Sequence, residues 1–415
     1  MAIHRLFLGI SLFALCAGAL IPSNVSAATN RYKAAETAPG NPGTEPAAPL
    51  ASGVVWDLSG FFPTFRGPEM KTFCDAIRKD LAQALQKAKS LKSLTPQTLE
   101  SWLKIIQTYE QISARSWHLS TYLEALASGD ARNEAFQAEI AQDEIISAEV
   151  QKLEVEIKRG LRDASTSVTQ ALSKRPELRD AEHMIARWRE SARRTMSTPE
   201  ETLAADLGVD GLSAWGRMYD QIAGKLEFVM EYPDGRKQTL PITEYPILLQ
   251  DSDRQVRKAA FRGASQAWEK LIDPCAHAIN HICGLRQTLN LHRGIRTLLD
   301  NALFESDMKP ETLTALMTAL RENIEIPRSM ARAKAQSLGL RALSWWDQDA
   351  PLANATEPKI PWLEGTEMVR QAFAAGIPEM ADLLKDMKNR RFYEAEVRPG
   401  KAPGAFCTDS PLLGE

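Results

Sequence analysis

Histidine pairs are the first place to look for metal chemistry in this 415-residue chain, which contains only six histidines. His277 and His281 are four positions apart, so a helix would place both imidazoles on one face, as in zinc-binding helices. Ala278, however, stands where a zinc peptidase carries the glutamate that takes a proton from metal-bound water. No third ligand accompanies the pair. We therefore interpret both histidines as polar residues on a helix surface, and we predict no catalytic and no metal-binding residue in the chain.

Other patterns that would indicate a specific chemistry are missing from the sequence. It contains no glycine-rich phosphate loop, no Cys-x-x-Cys pair and no Asp-rich calcium loop. Arginine clusters at residues 187–194 and 254–262 are interrupted or flanked by acidic residues, which predicts solvated helix faces. The formal net charge of -3 gives no general attraction to nucleic acid, so we predict no nucleic-acid partner.

The N-terminus has the features of a secretory signal peptide. His4 and Arg5 precede an apolar run over residues 6–21. Val25-Ser26-Ala27 then provides a signal-peptidase cleavage site of the small-x-small type. The run is shorter than the roughly 18 to 20 residues that a membrane-spanning helix needs. We predict a signal peptide at residues 1–27 and an exported protein, periplasmic or extracellular, with no membrane association after cleavage.

Four cysteines remain in the chain after the predicted signal peptide, namely Cys74, Cys275, Cys283 and Cys407. Cys275 and Cys283 are eight residues apart in a predicted helix, or about 12 Å along its axis. This separation exceeds the roughly 4.4–6.8 Å between the Cα atoms of a disulfide. We predict buried free thiols.

The elements that must position any site are mainly helical. Residues 28–53 are rich in Ala, Pro, Gly and Thr and predict a flexible linker. Apolar residues then recur at three- and four-residue spacing, which predicts long amphipathic helices. The expected segments are a helix that starts at Thr95-Pro96, a helix that starts at Thr198 with Glu201 in a capping box, and helical runs over 132–158, 177–194, 251–292, 310–338 and 362–387. One small β-hairpin is predicted at about 225–242, where alternating residues flank Pro233-Asp234-Gly235.

Several strings, taken in order, resemble the oligoendopeptidase F family, in the thimet-oligopeptidase superfamily of zinc metallopeptidases. The sharpest is Pro399-Gly400-Lys401-Ala402-Pro403-Gly404-Ala405-Phe406-Cys407-Thr408. The others lie at residues 56–63, 215–226, 253–261, 280–294, 345–347 and 350–352. The resemblance therefore extends over about residues 56–408.

The resemblance implies a mainly α-helical, bowl- or clamshell-shaped peptidase that hydrolyses short oligopeptides with zinc held by an H-E-x-x-H helix. In the family that helix follows the Gly-Ala-Phe-Cys-Thr segment by a few dozen residues, whereas this chain ends at Glu415. We therefore expect an N-terminal portion, truncated before the zinc helix and incomplete at its C-terminus. It comprises an N-terminal helical domain at 54–197 and the beginning of the peptidase domain at 198–415.

By this resemblance the chain is a zinc metallo-oligoendopeptidase that is inactive alone, with no zinc expected to bind these residues. Two alternatives stay open. One is a non-catalytic helical module that binds peptides or proteins, and the other is half of a split peptidase completed by a separately encoded C-terminal fragment. Short peptides are the expected ligands, and Gly404, Ala405 and Phe406 are the expected cleft-lining residues because glycine permits close approach of an extended peptide. A plain loop is the alternative for this segment.

Overall fold

A computed structural model describes residues 53–352 and 360–413. The predicted signal peptide and residues 28–52 of the predicted linker lie outside the described residues. The described part is helical apart from loops and one hairpin, which confirms the predicted fold class. The predicted division between residues 197 and 198 stays a prediction. Among the described helices, none is both long enough and apolar enough to cross a membrane.

Five helices form the first part of the fold, which contains the larger hydrophobic core. They are α1 (Pro68–Ser90), α2 (Leu99–Gly129), α3 (Glu134–Arg162), α4 (Thr166–Ser173) and α5 (Glu182–Ala192). Their apolar stripes face one another, and Trp102, Leu153 and Ile157 are almost completely buried. The indole N–H of Trp102 donates a hydrogen bond of 2.9 Å to the carbonyl of Lys92, so this large side chain leaves no unpaired donor.

The hairpin and the helices on either side of it form a second, smaller core. The chain continues through α6 (Thr198–Gly208), a π-helical stretch (Val209–Ser213), α7 (Ala214–Gly224), β1 (Glu227–Glu231), β2 (Lys237–Pro241), α8 (Tyr245–Leu248) and α9 (Arg254–Glu269). The strands pair antiparallel, with Phe228 opposite Leu240. Phe228 and Met230 point to the same side because side chains alternate along a strand, and both pack on α9. The predicted hairpin is confirmed.

Six further helices follow, and their apolar side chains are largely exposed. They are α10 (Ile272–His292), α11 (Leu298–Glu305), α12 (Pro310–Glu322), α13 (Glu325–Ser337), α14 (Trp362–Ala374) and α15 (Pro378–Asn389). No residue of α12 or α14 is buried, and α13 and α15 bury one alanine each. Short helical connections are also present at Pro176–Leu178, Ile242–Glu244 and Trp345–Asp347.

Several predicted helix limits were wrong. The helix expected from Thr95 begins at Leu99, because Thr95 and Thr98 form a hydrogen-bonded turn before it. The predicted run over 251–292 is two helices, as are those over 310–338 and 362–387. The interruptions occur within continuous apolar patterns, where periodicity alone does not mark a change of helix direction.

All four cysteines described are free thiols, as predicted, but the expectation that they are buried was correct only for Cys74. Cys275 is half-buried, and Cys283 and Cys407 are exposed. The exposed pair lies on α10 and on the C-terminal segment, two parts of the chain that bury little apolar surface.

A candidate peptide-binding segment at the C-terminal end

The predicted cleft-lining residues lie in an extended segment that runs along helix α2. This segment, residues 400–410, has no helical or strand hydrogen bonding of its own. Its direction is opposite to that of α2, because Gly400 lies beside Ala131 and Ser410 lies beside His118. We call it the docked segment.

The N-terminal end of the docked segment is held by backbone hydrogen bonds. The Ala131 N–H donates to the carbonyl of Gly400 at 2.7 Å, and the Ala402 N–H donates to the carbonyl of Ser128 at 2.9 Å. Gly400 has a φ of 88°, a conformation that favours glycine. A Cβ atom at this position would also collide with the side chain of Arg132.

The C-terminal end is held by side chains of α2. The Trp117 indole N–H and the Thr121 hydroxyl donate to the carbonyl of Asp409, at 2.8 and 3.1 Å. Nδ1 of His118 lies 2.7 Å from the Ser410 hydroxyl, and both residues are buried. Burial lowers the pKa of His118 because desolvation disfavours the imidazolium. Desolvation thus favours the neutral form of the imidazole that lies against Ser410, and the contact with the Phe61 carbonyl acts in the opposite direction.

Between the two anchored ends, the backbone is exposed and has free hydrogen-bonding groups. In the part of the chain that the structure describes, no backbone hydrogen bond involves residues 403–408. Gly404 has a φ of 97°, and the space around its Cα is open. Phe406 is 58% exposed, and its ring meets Trp56 edge-on with centroids 6.2 Å apart. An extended chain with free N–H and C=O groups is suited to pair with another extended peptide.

Charged residues just before the docked segment and at its start form a compact network. Arg398 donates to the Glu394 carboxylate at 2.6 Å and to the carbonyl of Gly129 at 3.0 Å. The Lys401 ammonium donates to the carbonyls of Glu394 and Glu396, at 2.8 and 3.0 Å. Burial lowers the pKa of Lys401. This network connects the docked segment to the chain that precedes it and to the end of α2.

Gly404, Ala405 and Phe406, the residues predicted to line a cleft, all lie on the exposed stretch, and their role in lining a cleft stays a prediction. Sequence reasoning did not single out Trp117, His118 or Thr121, although they hold the segment. Their only signal in the sequence is a polar group within an apolar helix, which does not identify a partner nearly 300 positions away.

The described residues do not provide the ligands of a catalytic zinc. No three His, Cys, Asp or Glu side chains among them come together in a way that would hold a metal ion. His277 and His281 lie on the exposed surface of α10, consistent with their interpretation as surface residues. A zinc-peptidase site also needs a glutamate as proton acceptor, and Ala278 provides none.

Comparisons with known proteins find oligopeptidases both among similar sequences and among similar folds. A family model described as Oligopeptidase F matches residues 164–228. A curated relative, an oligoendopeptidase F homolog of Borreliella burgdorferi, is 21% identical over 237 residues. This match covers 57% of this chain and 39% of the relative.

Solved structures of oligopeptidases have a similar fold. Oligoendopeptidase-F from Enterococcus faecium matches with a TM-score of 0.59 at 17% identity, covering 76% of this chain and 60% of that one. PZ peptidase A, solved with an inhibitor, matches with a TM-score of 0.63 at 15% identity, covering 81% and 57%. The chain thus spans about two fifths of the curated relative and about three fifths of these structures. Together these matches show that the chain is similar in sequence to oligoendopeptidase F proteins and similar in fold to solved oligopeptidases.

Proposed function

We propose that this chain is the substrate-binding portion of a zinc-dependent oligoendopeptidase that acts on short peptides outside the cytoplasm. The observation that carries the proposal is the docked segment, whose middle part presents unpaired backbone groups beside an exposed aromatic side chain. The sequence similarity to oligoendopeptidase F proteins supports peptide hydrolysis as the chemistry in which the segment takes part.

The chemical step needs groups that the described residues do not supply. In a zinc peptidase the metal polarises the scissile carbonyl and lowers the pKa of a bound water. No H-E-x-x-H sequence occurs in the 415 residues. We therefore assign to this chain the binding and alignment of the peptide backbone, and we propose that these residues alone do not hydrolyse peptides.

A cleavage assay with metal analysis tests the assignment of chemistry. The purified chain would be incubated with zinc and a quenched fluorogenic peptide of about ten residues, and bound metal would be counted by mass spectrometry. We expect no cleavage that a chelator abolishes. Cleavage that is lost with chelator and restored by zinc would overturn the proposed division of roles.

A variant in the docked segment tests peptide binding. Ala405→Pro removes one backbone N–H and restricts φ, so it should weaken binding of an unlabelled extended peptide, measured by calorimetry. Ala405→Ser keeps the N–H and serves as the matched control. Equal affinities for the two variants would argue against backbone pairing at this segment.

A second candidate is one half of a split peptidase, and the exposed apolar faces of α12 and α13 favour it. Leu316, Leu320, Ile326 and Met330 are each about half exposed or more, as expected for a surface that another polypeptide covers. Co-expression with a separately encoded polypeptide that carries an H-E-x-x-H helix tests this candidate. A stable complex that binds zinc and cleaves peptide would support it, whereas no complex would leave the single-chain binding role.

A further inference from the structure

His277 and His281 lie on consecutive turns of α10 and face solvent. Their ring centroids are 6.1 Å apart, and the ring planes differ by 19°. Within the described residues, no hydrogen bond or ion pair joins either imidazole to another side chain. The ring nitrogens of both residues are therefore accessible to a ligand from solvent.

Trp215 of α7 restrains one of the two rings. Its indole stacks on His281, with centroids 4.5 Å apart and planes at 16°. Trp215 is half-buried, so the indole provides a supported surface against which the imidazole rests. A ring that is already ordered loses less conformational entropy when it binds a ligand.

We propose that His277 and His281 together bind one divalent transition-metal ion, with Ni²⁺, Cu²⁺ and Zn²⁺ as the ions that suit imidazole ligands. The two nitrogens would occupy neighbouring coordination positions, and water would fill the others. No third His, Cys, Asp or Glu converges on the pair among the described residues. Binding is accordingly weaker than at a structural site with four protein ligands.

This site is separate from the proposed peptidase chemistry. Ala278 follows His277, so the pair lacks the neighbouring glutamate that a zinc-peptidase helix uses as a base. Metal binding at α10 does not depend on the docked segment or on peptide hydrolysis. The two proposals can therefore fail independently.

Calorimetric titration of the full chain with Ni²⁺ tests the site directly. His277→Ala and His281→Ala should each weaken binding at least about tenfold, since removal of an outer-shell partner already costs about 10- to 100-fold. His292→Ala is the matched control, because His292 is exposed on the same helix outside the pair. Circular dichroism should show that all variants fold, as expected for exposed positions. Equal affinity in the parent and both pair variants would overturn the proposal.

Fluorescence provides a second, local measurement. The emission of Trp215 is the difference between the spectra of the parent and of Trp215→Phe. Cu²⁺ bound by the two histidines should quench this emission, because Trp215 stacks on His281. The quenching should disappear in His277→Ala. An excess of a chelator should restore the emission, because it removes the metal from the imidazoles. Quenching of Trp215 that persists in His277→Ala would contradict binding by the pair.

Discussion

Asp143 is a buried carboxyl with only half of its hydrogen-bonding capacity used. The Ser120 hydroxyl donates to Oδ2 at 2.6 Å, but Oδ1 is buried without a partner. Burial raises the pKa of Asp143 to about 7, with a smaller contribution from the charge of Glu124. Ser120 and Arg78 act in the opposite direction but do not offset the desolvation.

The raised pKa of Asp143 predicts that stability falls as the pH increases from about 4 to about 7. In this window the folded state keeps a proton that the unfolded state has released, so deprotonation favours unfolding. Asp143→Asn keeps an acceptor for Ser120 and removes the charge. At about pH 8 we expect the variant to be more stable by up to about 4 kcal/mol.

Chemical denaturation at several pH values measures this effect of Asp143. The difference between parent and variant should shrink towards about pH 4, where both side chains are neutral in the folded state. A difference that is independent of pH would show that Asp143 is ionised in the fold throughout.

Arginine residues that were predicted to lie on solvated faces are in fact used in packing. Arg254 and Arg257 both bind the Asp347 carboxylate, and Asp347 and Arg257 are almost completely buried. In the other cluster, the guanidinium carbons of Arg187 and Arg194 lie over the Phe304 ring, 3.9 and 4.1 Å from its centroid. The prediction was wrong because the partners are distant in the sequence.

Loss of Asp347 should destabilise the fold strongly. Asp347→Ala would leave the Arg257 guanidinium buried without its counter-charge, which costs about 3–5 kcal/mol for such pairs. The exposed Glu325, which pairs with Arg328 and Arg332, is the control. Urea denaturation should show a large shift of the midpoint for Asp347→Ala and a negligible one for Glu325→Ala. Similar shifts would mean that burial of the Asp347 cluster contributes little.

Among the single elements, α6 has two possible capping pairs at its start, and only one of them is formed. The sequence predicted a cap at Thr198 with Glu201, but the capping box is formed by Ser197 and Glu200. Glu201 instead accepts from the Met196 N–H and from Arg293, at 2.9 and 2.6 Å. Both Ser197 with Glu200 and Thr198 with Glu201 have the spacing of a capping box. The box formed by Ser197 and Glu200 leaves Glu201 available to pair with Arg293.

The crossing of α2 and α3 depends on a glycine. A Cβ atom at Gly160 would lie 2.5 Å from the Trp102 ring, which is almost completely buried. Gly160→Ala should therefore destabilise the protein by about 1–3 kcal/mol through overpacking. Denaturant unfolding monitored by Trp fluorescence would measure the change.

Gly216 provides the matched control for Gly160, since it also lies within a helix. Apart from its chain neighbours and the backbone of its own helix, no atom of the described residues lies within 4 Å of a Cβ built at this position. Gly216→Ala should therefore be neutral or stabilising by up to about 1 kcal/mol, as helix propensity predicts. Destabilisation by both substitutions to the same extent would show that the Trp102 contact is not the cause.

At the scale of the whole described molecule, burial is distributed unevenly along the chain. Most large buried side chains belong to α1–α5, whereas α12–α15 expose leucine, isoleucine and methionine side chains. Helices without a buried apolar face gain little stabilisation from tertiary packing. We infer that α12–α15 are the least stable part of the described chain when it is isolated.

Hydrogen exchange measures this difference. Backbone amides of α12 should exchange faster than those of α2 by orders of magnitude, because α12 has no buried residue. Peptides from α2 serve as the control for peptides from α12, because both come from the same sample. Equal protection would show that α12 is covered in solution, for example by a second copy of the chain, which light scattering would detect.

The helical character, the hairpin and the family resemblance can all be predicted from the amino-acid sequence. Helix and strand signals are local, since they arise from apolar periods and from turn residues such as Pro233, Asp234 and Gly235. The burial of charges, as in the pairing of Arg257 with Asp347, depends instead on how the helices pack. So does the position of the docked segment along α2, as in the contact between His118 and Ser410. These pairs are separated by 90 and 292 positions, and a hydrogen bond at such a separation depends on the packed arrangement of every element between them.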